Sequence, residues 1–550
     1  MPVVTVYFER LFSMLNGSIS REELIDNIPY LSLDIEEITD EYIRIEYNPN
    51  RPDFSTDYGL ARALNSFLKF ESKSDSYIVN ESDISITVDK STGEVRQYIV
   101  SALVKDINLD DESIRQIINM QEDLHNGIGR RRRKVSIGIH NFDVIKPPIY
   151  YKTVDENFSF VTLNNSKSST IREILDNTDV GKSYGHILSK NSIYPILVDS
   201  ADGVLSFPPI INGDLTKLTN ETKNLFIDIT GTDFNAVNNA LSVLFTTLAD
   251  AGGQVYSVKV NYGEQVLITP KINLNKLPVD LSYAKSLLGL EISEEDAINY
   301  LQRCGMNSII ENNGVMVKPP PYRFDLIHPV DLVEEIAIGY GVNNIIPTVP
   351  STDLTGNPNN KQRMISTVRE VLIGLGLIET MTFGLISNEQ LIKSNMKDEQ
   401  IKVVETKSIE HEILKKSNIP SILYTLSRNI HNSYPQRIFE VAKIFKNVKS
   451  SIIEPYHVTV ALSHAEVNFT EGKSFMTALG QQLFNRQFST RRTDNPVFLN
   501  GRSAEIVDSD KTNIGVIGEV HPEVLENFSI RTPVVLFDIN LEKLIKSENS

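Results

Sequence analysis

The chain contains a single cysteine, Cys304, among 550 residues. That excludes an intrachain disulfide and leaves no basis for a cysteine-built zinc site. It also lacks any run approaching the roughly 18 consecutive apolar residues of a membrane-spanning helix. The opening stretch, Met1-Pro-Val-Val-Thr-Val-Tyr-Phe-Glu-Arg, has no basic patch followed by an apolar core, as a secretory signal would. A reducing cytoplasm without a membrane partner is the expected setting. Several chemical fingerprints are missing as well: Gly-x-Ser-x-Gly, the P-loop, the dinucleotide glycine pattern and His-Glu-x-x-His. Positive charge is scarce, with 54 Lys and Arg against 71 Asp and Glu, a net charge of −17. Such a balance argues against gripping a polyanion over a wide surface. The local exception is Arg130-Arg-Arg-Arg-Lys134, which reads either as a solvated loop or strand entry or as a cationic patch.

What is present is the length and patterning of an ordinary globular protein, enough for three or four domains at about 150 residues each. A small α/β unit is expected over residues 1–85, with a strand from Val3 to Val6, a helix around Phe8 to Leu15, and Ser20-Arg-Glu-Glu23 as the capping-box start of another. Asn48-Pro-Asn-Arg-Pro-Asp53 cannot continue a helix or a central strand. An amphipathic helix follows through Leu60, Ala61 and Leu64. Residues 86–263 read as one α+β domain, with strands at Tyr98 to Val104, Val135 to Ile139, Tyr194 to Val198, Leu225 to Ile229 and Val255 to Val260. Within it, Val237, Leu241, Leu244 and Leu248 mark a helix closed by Gly252-Gly253. Residues 264–347 show two short helices and a small hairpin, a winged-helix-like layout. After a Pro/Gly/Asn-rich linker, Pro347 to Asn360, the last domain occupies the remainder of 348–550. The fold class expected is multidomain α+β.

Two clusters carry candidate chemistry. In Pro320-Pro-Tyr-Arg-Phe-Asp-Leu-Ile-His-Pro-Val-Asp-Leu-Val-Glu-Glu335, Asp325 precedes a helix opened by Pro329, and Asp331, Glu334 and Glu335 fall at i, i+3 and i+4. Carboxylates gathered on one helical face repel, and a hard divalent cation such as magnesium would relieve them. Alternatively, they complement the helix dipole and are neutralised by Arg323 or Lys318. The second cluster pairs Leu205-Ser-Phe-Pro-Pro-Ile-Ile-Asn-Gly213 with Asn224-Leu-Phe-Ile-Asp-Ile-Thr-Gly-Thr232. Strand alternation puts Asp228 and Thr230 on one face and Leu225, Ile227 and Ile229 on the other. The polar face, ending at Gly231, lines a pocket or merely holds a turn. His140 serves as a base, as a substrate donor, or structurally.

Taken together, these segments resemble the β-subunit family of archaeal and eukaryotic phenylalanine–tRNA ligases over nearly the whole chain. Asn48 to Asp53 with Gly59-Leu-Ala-Arg62 resembles the family's N-terminal domain. His125 to His140, Ser206 to Gly213 and Asp228 to Thr232 resemble its editing domain, and Tyr322 to Tyr340 its magnesium-associated module. Arg437-Ile-Phe-Glu-Val441 and Gly515-Val-Ile-Gly-Glu-Val-His-Pro522 resemble its last domain, an antiparallel class II synthetase fold without an active site. Arg437 and Glu440 echo the second class motif, but no Gly-x-Gly-x-Gly-x-x-Arg third motif follows. The resemblance implies Mg2+ at Asp325, Asp331, Glu334 and Glu335, and ATP bound on a separate α subunit. It further implies a heterotetramer of two α and two β chains acting on tRNA(Phe), with hydrolytic editing of Tyr-tRNA(Phe) in this chain. His140, Ser206, Asp228, Thr230 and Gly231 are the expected editing-pocket residues. A non-catalytic assembly and tRNA-binding scaffold is the alternative. On so acidic a chain, tRNA contacts would fall on local patches such as Arg130 to Lys134, or on the α subunit.

Overall fold

The structure, a computed structural model, describes residues 2–70, 77–272, 276–311, 314–351, 355–396, 400–449 and 451–546. The chain divides into two units, Met1–Val349 and Pro350–Ser550. Mixed α and β elements build both. No helix among the described residues is long and apolar enough to cross a membrane.

The first unit begins with a three-stranded antiparallel sheet in which Tyr42–Glu46 lies between Val3–Tyr7 and Asp34–Ile38. Strand alternation turns Val4, Val6, Ile43 and Ile45 inward, onto Leu11, Leu24, Leu60 and Leu64 of the covering helices. Ser20 caps the helix Arg21–Asn27 by accepting from the Glu23 backbone N–H. Next comes the Pro52–Ser55 turn, feeding the helix Asp57–Phe67. Gly59 is required there: a Cβ would lie 1.7 Å from the Asp53 carbonyl oxygen.

A larger sheet forms the middle of the unit. Leu225–Gly231 runs antiparallel between Tyr98–Lys105 and Val135–Asn141, and all seven of its residues are buried. Leu225, Ile227 and Ile229 face the helices Asp111–Asn126 and Phe234–Asp250 in one core. Phe226, Asp228 and Thr230 therefore point to the opposite face, where Phe226 joins a second core with Ile99, Leu103 and Tyr151. Asp233 caps the helix Phe234–Asp250 by accepting from the Ala236 N–H.

The last part of the unit stacks the helices Leu281–Leu288, Glu294–Arg303 and Pro329–Tyr340 on a small sheet, in which Gly314–Lys318 pairs with Asn307–Glu311 and Leu277–Pro278. It meets the rest through charge. Arg323, 4 % exposed, reaches Asp325 with Nε–Oδ1 and Nη2–Oδ2 both at 2.9 Å, and also bonds the Glu335 carboxylate. Arg62 lies 3.6 Å over the Tyr322 ring, bonds Asp250 and approaches Asp53, whose carboxylate holds Arg51 at 2.8 Å. Residues far apart in the chain thus share one buried cluster of charge.

The second unit is centred on a seven-stranded sheet. Its edge strand Ile378–Glu379 runs parallel to Gln436–Lys443, while the remaining pairs are antiparallel. The helix Asn360–Gly374, capped by Asn359, packs Ile365, Val368 and Leu372 onto that sheet. Residues 352–354 of the expected linker lie outside the described residues.

Burial pushes the Glu335 carboxyl up, but Arg323's charge and hydrogen bonds outweigh it and hold the group below the ordinary carboxylate range. Asp53, also buried, is held low by Arg51 and Arg62. A carboxyl lowered by folding lends stability in full above its unfolded pKa of about 4, and that stability is lost as pH falls through the folded value. Urea midpoints of the full chain are expected to drop below about pH 4. Glu335→Gln should cost about 3–5 kcal/mol at neutral pH and flatten part of this acid dependence, both read from the same unfolding curves.

Candidate active site

A cleft of about 430 Å³ opens above the sheet face that carries Asp228. Asp228 forms its floor with Ser136, Gly138, Ser206 and Thr216, and apolar side chains including Ile114, Ile118 and Phe207 line its sides. The floor is a connected set of hydrogen bonds. Asp228 Oδ2 receives His140 Nε2 at 2.7 Å and Ser206 Oγ at 3.1 Å, while His140 Nδ1 meets Thr216 Oγ1 at 2.7 Å. All four residues are buried, with His140 at 0 % exposure. Both ring nitrogens of His140 are thus engaged, one by the carboxylate and one by the Thr216 hydroxyl. Among the described residues nothing hydrogen-bonds Asp228 Oδ1.

Register explains how such a cluster fits within a sheet. Asp228 pairs with Gly138 on the neighbouring strand. A Cβ at Gly138 would lie 2.3 Å from Asp228 Oδ2 and 2.6 Å from His140 Nε2. Glycine therefore leaves the volume in which the carboxylate and imidazole meet.

Arg132 ties one wall to another. Its guanidinium donates to Ile210 O at 3.0 Å, Pro209 O at 3.3 Å and Glu122 Oε1 at 2.7 Å. Glu122, hydrogen-bonded to His125 and charge-paired with Arg132, is held down at about 2 despite partial burial. Burial in turn keeps the His125 imidazole below its usual pKa. His125 Nε2 accepts from the Ile137 N–H at 2.8 Å, joining the helix Asp111–Asn126 to the strand under the cleft.

Of the five expected pocket residues, Ser206 and Asp228 line the cleft, and His140 stands behind Asp228. Thr230 and Gly231 do not line it. Thr230 instead binds the buried Arg96 through Oγ1 at 2.9 Å and its carbonyl at 2.8 Å. Desolvation lowers the Arg96 guanidinium to about 10. Gly231 is packed against the Lys134 carbonyl and Val237, each 2.3 Å from where a Cβ would stand. Sequence reasoning missed Thr216 and Arg96. Neither carries a local signal, because their partners lie 76 and 134 residues away.

Residues 345–541 match the family described as phenylalanyl tRNA synthetase beta chain CLM domain, and residues 277–342 match the tRNA synthetase B5 domain. The phenylalanine–tRNA ligase beta subunit of Archaeoglobus fulgidus is 40 % identical over 547 residues, 98 % of each chain. That of Methanosarcina acetivorans is 36 % identical over 99 % of each. The crystal structure of an N-terminal fragment of the Pyrococcus horikoshii phenylalanyl-tRNA synthetase beta subunit is also similar, at 36 % identity and a TM-score of 0.59. It covers 62 % of this chain and 100 % of the fragment. The chain belongs to the phenylalanine–tRNA ligase β-subunit family.

In this family member the four carboxylates expected to hold magnesium do not converge. Asp325 and Glu335 both serve Arg323. Asp331 Oδ2 accepts from the Ile327 and His328 N–H groups at 2.7 Å each, at the start of its helix. Glu334 is exposed, whereas Glu335 is buried, so the expected shared face is split by the inward turn of Glu335. Among the described residues no group of three or more His, Cys, Asp or Glu could hold a metal ion. As placed, these side chains do not fit magnesium.

In the second unit, Glu440 is buried and receives Lys415 Nζ at 2.9 Å and Thr382 Oγ1 at 2.8 Å. Arg437 pairs with Glu471 at 3.3 Å. Neither lines the 840 Å³ hollow of that unit, which is bordered by Ile401, Ile413, Phe445 and Asn447 among others.

Gly138→Ala is expected to force His140 and Asp228 apart and destabilise the chain by about 1–3 kcal/mol, measured as a lower urea midpoint.

Proposed function

We propose that the cleft above Asp228 hydrolyses tyrosine wrongly esterified to tRNA(Phe), while the chain supports phenylalanine attachment on a separate α subunit that binds ATP. The observation that carries this reading is Asp228 Oδ1, a carboxylate oxygen without a hydrogen-bond partner among the described residues, on the floor of a cleft with apolar walls. A phenol ring suits those walls, and its hydroxyl supplies the donor that Oδ1 lacks.

Such a site answers a real deficit in discrimination. An apolar pocket built for a phenyl ring rejects the same ring bearing a hydroxyl by only about 100-fold. A second site that requires the hydroxyl sorts in the opposite sense, because phenylalanine would desolvate Asp228 without pairing it.

The attacking group in this reading is water. Ser206 donates to Asp228 rather than to an imidazole, so it lacks the adjacent base that activates a serine nucleophile. His140 and Thr216 orient the carboxylate from behind. In the second unit, the Lys415 ammonium neutralises Glu440 internally, which supports reading that unit as a packing partner without its own activation site. Its likeness to the CLM domain of synthetase β chains agrees with this role. Two such chains with two α chains would form the working enzyme on tRNA(Phe).

Asp228→Ala, assembled with the α subunit, is expected to slow deacylation of Tyr-tRNA(Phe) by about 10- to 100-fold, the worth of one charged hydrogen bond. Phenylalanylation should stay near the unaltered rate. Deacylation that is unchanged in this variant would remove Asp228 from the site.

A further inference from the structure

The hollow of the second unit, about 840 Å³, lies within the roughly 300–1,000 Å³ that small-molecule sites occupy. Three pieces of chain line it. The helix Asn388–Lys393 and the short strand Ile413–Leu414 bring Leu391, Ile413 and Leu414, and the first two are buried in one apolar cluster with Ile386. Phe445 and the strand Lys446–Val448, which pairs with Ser451–Ile453, line another part, and Asn495 to Val497 a third. Phe445 is held from two directions. Its N–H donates to Lys415 O at 2.9 Å, and its ring lies 3.6 Å from where a Cβ on Gly384 would stand.

Polar groups in this lining keep hydrogen-bonding capacity in reserve. Asn495 Oδ1 accepts from the Val497 N–H at 3.0 Å, and Asn395 Nδ2 donates to Pro496 O at 3.4 Å. Among the described residues, Asn495 Nδ2 and Asn395 Oδ1 have no partner, and the Asn447 amide has none at either end. Lys446 is exposed and has no ion pair among the described residues. An aromatic ring beside aliphatic side chains suits a flat heterocycle, because every base offers a face that stacks. A side-chain amide offers a donor and an acceptor together, the pairing that the edge of a nucleobase satisfies. An ammonium suits a phosphate as a compact point charge.

We propose that this hollow binds a free nucleotide, with its base against Phe445, the edge of the base hydrogen-bonded by Asn447 and Asn495, and its phosphate at Lys446. The site is one of binding alone, since Glu440, the buried acid of the neighbouring strand, is already neutralised by Lys415 and does not line the hollow. It is independent of the cleft above Asp228, all of whose residues belong to the first unit.

The test uses the full chain assembled with its α subunit and two photoreactive probes, 8-azido-AMP and 8-azidoadenosine. Labelled peptides of each chain are mapped by mass spectrometry, so that label on the α subunit is counted separately. The expected result is saturable label on peptides carrying Ile413 to Ser417 or Phe445 to Val448. At subsaturating probe, Phe445→Leu and Asn447→Ala should each lower it by about 5-fold or more. Lys446→Gln should lower labelling by 8-azido-AMP about 10-fold and leave that by 8-azidoadenosine unchanged. Urea midpoints and label on the α subunit should be the same in all forms. Absence of saturable label on this chain, or label that persists unaltered in the three variants, would overturn the site. Equal loss of both probes in Lys446→Gln would overturn the phosphate contact and with it the nucleotide. Displacement of the label by tRNA(Phe) would overturn the free source, giving the same base-and-phosphate chemistry to an RNA instead.

Discussion

A carboxyl group in the middle of a fully buried strand is costly unless it is hydrogen-bonded, and the cleft of the first unit is arranged around meeting that need at Asp228. His140 arrives from the adjacent strand and Ser206 from the strand Val204–Phe207, and Thr216 holds the far nitrogen of the imidazole. The requirement reaches beyond these donors. Position 138 must lack a side chain, because that volume is where the carboxylate and imidazole meet. Among the described residues one oxygen is engaged twice and the other has no hydrogen-bond partner.

A second buried set of charges governs the first unit at larger scale. Arg62 and Arg323 bring together the Asn48 to Asp53 turn, the end of the helix Phe234–Asp250 and the Pro329–Tyr340 helix, using Asp53, Asp250, Asp325 and Glu335 as partners. Guanidinium groups suit this place because their planar fork satisfies two carboxylates at once and stacks on Tyr322. Ion pairs of this kind add little net stability compared with apolar packing, but they tolerate few alternative arrangements, since any displaced partner leaves a buried charge exposed to the low dielectric. The two segments most recognisable in the sequence are therefore joined by orientation rather than by catalysis.

Local elements were largely legible in advance. The apolar stripe from Val237 to Leu248 lies in the helix Phe234–Asp250, and the alternation after Leu225 lies in the strand Leu225–Gly231. Periodicity reports which face of an element is buried, and that suffices for existence and approximate limits. It carries less about partners. Spacing put Asp331, Glu334 and Glu335 on one face, yet one turn of helix separates a capping carboxylate from an exposed one and from one buried against Arg323. Alternation likewise put Asp228 and Thr230 side by side, but Arg96 takes Thr230 away from the cleft.

By itself, the sequence determined the absence of an intrachain disulfide, the acidic balance with one cationic run, the course of the main helices and strands, and the motifs that carry the family resemblance. These follow from residue type and short-range period, which act over a few bonds or one helical turn. The tertiary structure decided which carboxylate keeps a free oxygen, which arginine of the run turns inward, and which acids neutralise arginines rather than gather around a cation. Those outcomes depend on hydrogen bonds between residues as much as 188 positions apart. Desolvation makes such bonds obligatory only after the core has closed, so no local pattern in the chain announces them.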